Sequence, residues 1–257
     1  MLTKIAVLTV ALMALLLGAN AAGIINLNGI PNELGLSDKI EHRHIMIGVD
    51  ITTGREGELP KDFEAIQRLI GSAQLGDMID VFLIDSRSEA AQEAIFSMKM
   101  PVEPGPMGMV LARAQQSANK SFADCWNKKI NSFLTDKNLV EETDLFGFFR
   151  FVSERNTEEL NDLKKKDPIY LIVFTDAQEV GDGFNFERTI PGKGDLIRAK
   201  EAGLIPNLSG VKVNMLGVTP THNISNDHWR KLVLWWRAYL QEAGAEILSI
   251  TSERTLS

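Results

Sequence analysis

The chain has 257 residues, of which 44% are hydrophobic and 24% charged, and its formal net charge is −7 at pH 7. Proteins that bind nucleic acid through its phosphates need faces rich in lysine and arginine, so the acidic balance argues against that class of partner. With Cys125 as the only cysteine, an intramolecular disulfide is excluded, and stability must come from a packed core.

The first 21 residues, Met1 to Ala21, have the layout of a secretory signal peptide. Lys4 supplies a positive start, Ile5 to Leu17 form an apolar stretch, and Ala19 to Ala21 form a small-x-small cleavage site. A transmembrane helix needs about 20 apolar residues, so this stretch is short for a membrane anchor, which is the alternative. We expect an exported protein, periplasmic or extracellular, with a mature start near Ala22 and no stable membrane span after cleavage.

The rest of the chain is long enough for one large α/β domain. We expect an N-terminal lead over residues 22–43, a domain over residues 44–251 and a short tail over residues 252–257. The first predicted strand is an apolar run that begins at His44 and stops at Asp50, and Pro60 opens a segment with helical spacing of apolar residues.

Strands and helices then alternate along the chain. A second strand over residues 78–85 is followed by a short partner at residues 94–98 that could return antiparallel beside it. Pro101 to Met109 form a loop with strong breakers, and helical spacing resumes over residues 110–134 and 141–153. Further predicted strands are Ile169 to Asp176, Val211 to Val218 and Ala245 to Ile250, with a long polar insert after the first of these and a helix at residues 227–242.

This order predicts a three-layer α/β fold: a doubly wound, mostly parallel sheet with one antiparallel edge strand and helices on both faces. Two of its strands end alike, since Val49–Asp50–Ile51–Thr52–Thr53–Gly54 and Val173–Phe174–Thr175–Asp176 each pass from an apolar run to hydroxyls and a carboxylate. Ligands bind outside the carboxyl ends of strands in open α/β sheets, so these acids are candidates for a site.

The two acidic strand ends, with an early hairpin between them, closely resemble those of a von Willebrand factor type A domain, over roughly Ile45 to Ile250. That resemblance implies a Rossmann-like fold and a metal-ion-dependent adhesion site, in which Asp50 is the leading acid, Thr52 the first hydroxyl and Asp176 the distal acid. Carboxylates and short hydroxyls suit a hard divalent ion, so the implied cofactor is Mg²⁺, or Mn²⁺ or Ca²⁺ in its place.

The sequence also departs from the family pattern. Gly54 stands where the second hydroxyl belongs, and the loop from Pro101 to Met109, which we expect to bring a further threonine, contains neither serine nor threonine. Thr53, Thr175 or water could substitute in part. The alternative is a degenerate site that keeps only the geometry, in which Asp50 caps a helix or accepts hydrogen bonds from its loop.

Other patterns have simpler explanations. The helix at residues 227–242 places apolar residues on one stripe, with Trp235 and Tyr239 on an adjacent edge that is either peripheral core or, if exposed, a contact surface. The four histidines are scattered and show no zinc-protease spacing.

By resemblance, we expect a non-enzymatic module that holds a protein partner at the carboxyl end of the sheet, with Gly105 to Met109 and Gly181 to Gly194 as rims of the site. One alternative is a structural component of an envelope or secretion assembly with a dead ion site. Another is a hydrolase in which Asp50, Asp176 and Asp182 hold a metal that activates water.

Overall fold

The computed structural model describes residues 42–86, 93–136, 142–161, 167–219 and 224–255. The predicted signal peptide, its cleavage site and the lead up to residue 41 lie outside these residues, as do the last two residues of the tail. Within the described ranges, no helix is both long enough and apolar enough to cross a bilayer.

A six-stranded sheet forms the centre of the molecule. Its strands are β1 (His44–Asp50), β2 (Met78–Ile84), β3 (Phe96–Lys99), β4 (Ile169–Phe174), β7 (Val211–Leu216) and β8 (Glu246–Thr251). The order across the sheet is β3-β2-β1-β4-β7-β8, and every neighbouring pair is parallel except β2 and β3. The predicted doubly wound sheet with one antiparallel edge strand is therefore confirmed.

In the described ranges, five helices cover the two faces of the sheet. They are α1 (Leu59–Gly71), α2 (Met109–Asp136), α3 (Leu145–Asn161), α4 (Lys193–Glu201) and α5 (Asn226–Glu242). A short 3₁₀ turn, Pro106–Gly108, precedes α2, and a small hairpin of β5 (Val180–Gly181) and β6 (Phe184–Asn185) lies between β4 and α4. The insert after β4, predicted to be helical or irregular, thus contains both a hairpin and a helix.

The core has two halves, one on each face of the sheet. Alternate residues of β1 such as Ile47 and Val49 face one half, which includes Ile66 of α1 and Phe122 of α2. The other half includes α3, α4, α5 and the aromatic residues around Trp236. Because successive side chains of a strand point to opposite faces, a strand that is buried on both faces has a continuous apolar run, as β1 does between His44 and Asp50.

Helix α3 approaches β1 closely at Gly48. A Cβ atom built on Gly48 would lie 2.4 Å from Cε1 of Phe148 and 2.9 Å from Cδ1 of Ile84. The absence of a side chain at Gly48 therefore allows the Phe148 ring to pack directly on the strand, two residues before Asp50.

One predicted loop lies elsewhere than expected. The carbonyl of Pro101 accepts a hydrogen bond from the amide of Gly76, and Met100 donates its amide hydrogen to the carbonyl of Asp77, directly before β2 begins. Because β3 is antiparallel, the chain leaves it at the amino edge of the sheet. The expectation that Gly105 to Met109 form a rim of the site at the carboxyl edge is therefore wrong.

Candidate functional site at the carboxyl edge of the sheet

The ends of β1 and β4 lie side by side and join their polar residues. Val49 is paired with Phe174 in the parallel ladder, so Asp50 and Thr175 follow directly on neighbouring strands. The Thr175 hydroxyl donates a hydrogen bond to Oδ2 of Asp50 at 2.8 Å, and both residues are fully buried. Strand pairing thus brings the two polar strand ends into contact.

Asp50 also receives hydrogen bonds from its own loop. Its Oδ1 atom accepts the amide N–H of Thr52 at 3.1 Å and the Thr52 hydroxyl at 2.6 Å. Since buried carboxylates must be hydrogen-bonded, these contacts stabilise the turn that leaves β1. The loop-acceptor role that the sequence left open for Asp50 is the one observed.

Thr143 completes this group and was missed in the sequence. It is buried, and its hydroxyl donates a hydrogen bond to the Thr52 hydroxyl at 3.0 Å. Its carbonyl accepts the amide N–H of Val180, which ties the turn before α3 to the segment after β4. A later loop therefore does bring a threonine, but it is the loop between α2 and α3 and not Pro101 to Met109.

A capping signal marks this turn in the sequence. Asp144 accepts the amide N–H of Gly147 through its side chain at 2.6 Å, as a residue at the start of a helix does. Helical spacing in the sequence predicts that this helix begins at residue 141, with Thr143 inside it, whereas α3 begins at Leu145. Recognising Asp144 as a cap would have placed Thr143 in the preceding loop.

Asp176 is the more accessible acid of the site. It is half-buried, and its two oxygens accept hydrogen bonds from the backbone amide of Gln178 at 3.0 Å and from the Gln178 side chain at 3.2 Å. Burial, and then the negative charge of Asp50, raise the pKa of Asp176 to about 6, against the opposing effect of Arg55. This carboxyl therefore keeps its proton to a higher pH than an ordinary aspartate does.

The turn after Asp176 is held by helix α5. Ala177 has a positive φ of 67°, an uncommon conformation for a residue with a Cβ atom. Its carbonyl accepts a hydrogen bond from Nε1 of Trp236, which is fully buried in α5, at 2.8 Å. The direction of the backbone after Asp176 is thus set in part by packing against α5.

A buried arginine lies beside the two acids. Arg55 is 2% exposed, its Nη2 atom donates to Oδ2 of Asp62 at 2.5 Å, and its Nε atom is 4.0 Å from Oδ2 of Asp50. Burial alone would lower the pKa of Arg55, but the charges of Asp50, Asp62 and Asp176 together raise it. The guanidinium is therefore held in its charged form beside the site. Arg55 was not among the site residues predicted from the sequence.

A further buried acid stabilises the start of α3. Glu179 is fully buried, and its Oε2 atom accepts the amide N–H of Leu145 at 2.7 Å. Burial, followed by the charge of Asp144, raises the pKa of Glu179 well above its ordinary value. The same segment that carries Asp176 thus also anchors the helix that follows Thr143.

The remaining candidates do not join this site. Trp235 and Tyr239 are buried, with 5% and 0% exposure, so their edge of α5 is core and not a contact surface. The carboxylate of Asp182 lies 3.6 Å from Nη2 of Arg150. His222 lies outside the described residues, and among those residues no group of three or more His, Cys, Asp or Glu side chains is arranged to hold a metal ion.

The site has the oxygen atoms that a divalent ion prefers as ligands, but its charges do not suit such an ion. Oxygen atoms of Asp50, Thr52, Thr143 and Asp176 are the ligands that Mg²⁺ prefers. However, both carboxylate oxygens of Asp50 already accept hydrogen bonds, and the charged Arg55 stands beside them. The arrangement of charges at this site does not fit Mg²⁺, Mn²⁺ or Ca²⁺. The role of Asp50, Thr52 and Asp176 as metal ligands stays a prediction from the sequence.

Comparisons with known proteins find similar folds only. No protein-family model and no curated protein sequence matches the chain. Among solved structures, the chain is similar to a von Willebrand factor type A protein from Catenulispora acidiphila, with 12% identity, a TM-score of 0.40, and coverage of 82% of this chain and 39% of that one.

Two further solved structures are similar to this chain. The ArnB paralog VWA2 from Sulfolobus acidocaldarius has 12% identity and a TM-score of 0.38, with coverage of 69% of this chain and 35% of that one. The PilB minor pilin from Streptococcus sanguinis has 9% identity and a TM-score of 0.44, with coverage of 85% and 59%. This chain therefore spans less than two thirds of the length of each of the three structures.

The sheet has the features that the sequence predicted. Its strands are mostly parallel, one edge strand is antiparallel, and the polar ends of β1 and β4 are adjacent. The order and direction of these strands give the chain a three-layer α/β fold like that of a von Willebrand factor type A domain.

Proposed function

We propose that this chain is an exported, non-enzymatic binding module that holds a protein partner at the carboxyl edge of its sheet. The observation that carries the proposal is the hydrogen-bonded group formed by Asp50, Thr52, Thr143 and Thr175, which joins three separate segments of the chain at that edge. A group of this kind makes a rigid floor, and rigid floors favour recognition because little order has to be imposed on binding.

Three accessible side chains near this floor are acidic. Asp176 is half-buried, and Glu142 is exposed directly before Thr143. Glu187 is also exposed, and its negative charge contributes to the raised pKa of Asp176. Complementary charge steers association and selects partners, so we expect a basic patch on the partner. With Gly105 to Met109 at the other end of the sheet, the rims of the site are the turn at residues 142–144 and the insert after β4.

The hydrolase alternative has less support. It requires Asp50, Asp176 and Asp182 to hold a metal and activate water. Asp50 already accepts three hydrogen bonds, and Asp182 lies beside Arg150. Screens for phosphatase and esterase turnover with added divalent metals test it, and turnover that is lost in Asp176→Ala would favour it over the binding role.

The binding role is tested by comparing two charge-reversal variants. The native protein, Asp176→Lys at the proposed site and Glu103→Lys, an exposed residue of the opposite loop, are each immobilised and exposed to a native extract. We expect the native protein and Glu103→Lys to retain the same protein, and Asp176→Lys to lose it. Equal capture by all three proteins would contradict the proposal.

A structural role in an envelope or secretion assembly is the second candidate. It is distinguished by the size of the complex in which the protein migrates in a gentle extract of its own cells, with and without a chelator. Export is tested separately: we expect the protein recovered from outside the cytoplasm to begin near Ala22, as determined by N-terminal sequencing. Recovery of the intact chain, with Met1 to Ala21 still present, would contradict cleavage.

A further inference from the structure

We infer that Arg55 is the resident cation of the carboxyl-edge site, and that its guanidinium supplies the positive charge that a divalent ion would otherwise bring to Asp50. The inference deepens the proposed function, since it states which chemistry a partner meets at this edge. It rests on four side chains, Asp50, Arg55, Asp62 and Arg254, all of which lie in the described part of the chain.

The first step is the position of Arg55. Its side chain is 3% exposed, and the Nε–H group lies 4.0 Å from Oδ2 of Asp50. This Nε atom has no hydrogen-bond partner among the described residues, so its remaining interaction is with the nearby carboxylate charge. A buried charge without a partner is strongly unfavourable, and Arg55 is the charged group placed to compensate Asp50.

The second step is what holds Arg55 in place. Nη2 of Arg55 donates to Oδ2 of Asp62, and Nε of Arg254 donates to Oδ1 of the same carboxylate at 2.6 Å. Arg254, which follows β8, also pairs with Glu58 at 2.6 Å. Asp62 therefore bridges two arginines. Arg254, in the segment after β8, holds Asp62 in place, and Asp62 holds Arg55.

The third step is the balance of charge. Asp50 and Asp62, with side chains that are 0% exposed, face the guanidinium groups of Arg55 and Arg254, which are 3% and 12% exposed. The two fully buried carboxylates are thus each placed beside a guanidinium group from the protein itself, while Glu58 and Asp176 add further negative charge near Arg254 and Arg55. An added divalent ion at Asp50 would face the fixed positive charge of Arg55 in a medium of low polarity, where such repulsion is strong.

The fourth step is the orientation of the hydroxyl groups. The hydroxyls of Thr52 and Thr175 both donate to Asp50, and that of Thr143 donates to Thr52. Each carboxylate oxygen of Asp50 thus has a hydroxyl donor. The group is complete as a hydrogen-bond network, with Arg55 as its cation.

The consequence concerns the chemistry of the partner. A bound divalent ion with an open coordination position would accept an oxygen ligand such as a carboxylate. A site whose cation is a buried arginine offers no such position, and the group it presents is the half-buried carboxylate of Asp176. The edge therefore takes a basic or hydrogen-bond-donating side chain, such as lysine or arginine, and not an acidic one.

The test measures divalent ions without any partner. Calorimetry and thermal unfolding are carried out with Mg²⁺ and Mn²⁺ on three proteins: the native chain, Arg55→Met, and Arg68→Met as the control. Arg68 also belongs to the α1 region, but its side chain is 57% exposed. Methionine keeps the length of the side chain and removes the charge.

We expect the native protein and Arg68→Met to give no saturable heat and the same Tm in Mg²⁺ as in chelator. Arg55→Met is expected to unfold at a lower temperature in chelator, to bind Mg²⁺ at least about tenfold more tightly than the native protein, and to regain Tm when the ion is added. Equal affinity of the native protein and Arg55→Met would overturn the inference, as would a folded Arg55→Met that does not respond to either ion.

A second measurement decides the case if Arg55→Met does not fold. Paramagnetic Mn²⁺ is added to the native protein, and broadening of the amide resonances of Thr52 and Ala177 is followed by NMR. Unchanged line widths up to millimolar Mn²⁺ support a resident Arg55 cation, and selective broadening at these two amides overturns it. Neither experiment involves a partner, so failure to find one would contradict the proposed function and leave this inference untouched.

Discussion

The hydroxyl oxygen of Thr143 lies 3.0 Å from the hydroxyl oxygen of Thr52, although 91 positions separate the two residues in the chain. Thr52 in turn donates to Asp50, so the turn before α3 is joined to the end of β1 through two consecutive hydrogen bonds. The floor of the candidate site therefore depends on a contact between segments that only the folded chain brings together.

Removing the hydroxyl of Thr143 tests this contact. Thr143→Val keeps the shape of the side chain, so the expected loss of about 1 kcal/mol in the free energy of unfolding reflects the lost hydrogen bond. Urea denaturation measures it. The matched control is Thr157→Val on the exposed face of α3, where the hydroxyl bonds to the carbonyl of Ser153 and the loss is expected to stay within about 0.5 kcal/mol. Equal stability of native protein and Thr143→Val would rule out a contribution of this contact.

The raised pKa of Asp176 predicts a dependence of stability on pH. In the folded protein this carboxyl holds its proton up to a pKa of about 6, above its ordinary value of 3.8. Stability from this group is therefore fully present below pH 3.8 and is lost as the pH rises through 6. Asp176→Asn removes the charge, so we expect a gain of about 1 to 2 kcal/mol at pH 7.5, after allowance for solvent screening.

That gain should shrink as the pH falls, and disappear near pH 4. Thermal unfolding over this range of pH follows it, with Asp124→Asn, an exposed position of α2, as the control. A gain that did not change with pH would show that the effect of Asp176→Asn is not caused by ionisation of the carboxyl group.

Glu179 allows charge and hydrogen bonding to be separated. Its pKa is raised well above the ordinary value, chiefly by burial, so its ionised form destabilises the fold as the pH rises. Glu179→Gln keeps an oxygen acceptor for the amide of Leu145 and removes the charge, so we expect it to be at least as stable as the native protein at pH 8.

Glu179→Ala also removes the acceptor and leaves a buried amide without a partner, which costs about 1 to 3 kcal/mol. Chemical denaturation of the two variants at pH 5 and pH 8 makes the comparison. If Glu179→Gln and Glu179→Ala lowered the free energy of unfolding equally, the hydrogen bond to Leu145 would not be the source of the stability that Glu179 provides.

Gly48 tests the close approach of α3 to the sheet. Gly48→Ala places a methyl group within 2.4 Å of the Phe148 ring, and crowding of this kind costs about 1 to 3 kcal/mol. We expect Phe148→Leu to recover part of that loss when the two are combined, because the smaller side chain relieves the clash. Gly57→Ala, where a Cβ atom would meet open space, is the control. Additive effects of the Gly48 and Phe148 substitutions would contradict direct contact.

Much of the sheet was predictable from local patterns. Apolar runs that end in a carboxylate, such as His44–Asp50, mark parallel strands buried on both faces, and the predicted antiparallel partner of β2 is present as Phe96–Lys99. The same pattern placed Asp50 and Thr175 at one edge, because parallel strands share the direction in which they end. An antiparallel β3 also implies that the loop from Pro101 to Met109 leaves at the amino edge, although this loop was predicted to form a rim at the carboxyl edge.

The order of strands and helices and the two polar strand ends can be predicted from the sequence, because they depend on hydrophobic periodicity and on local turn chemistry. The residues that complete the site depend instead on how distant segments pack together. Thr143 reaches Thr52 from a loop whose direction depends on how α2 and α3 pack, and Arg55 points at Asp50 because Asp62 and Arg254 hold it there. Such contacts join residues far apart in the chain, and no periodicity in the sequence encodes the distance between them.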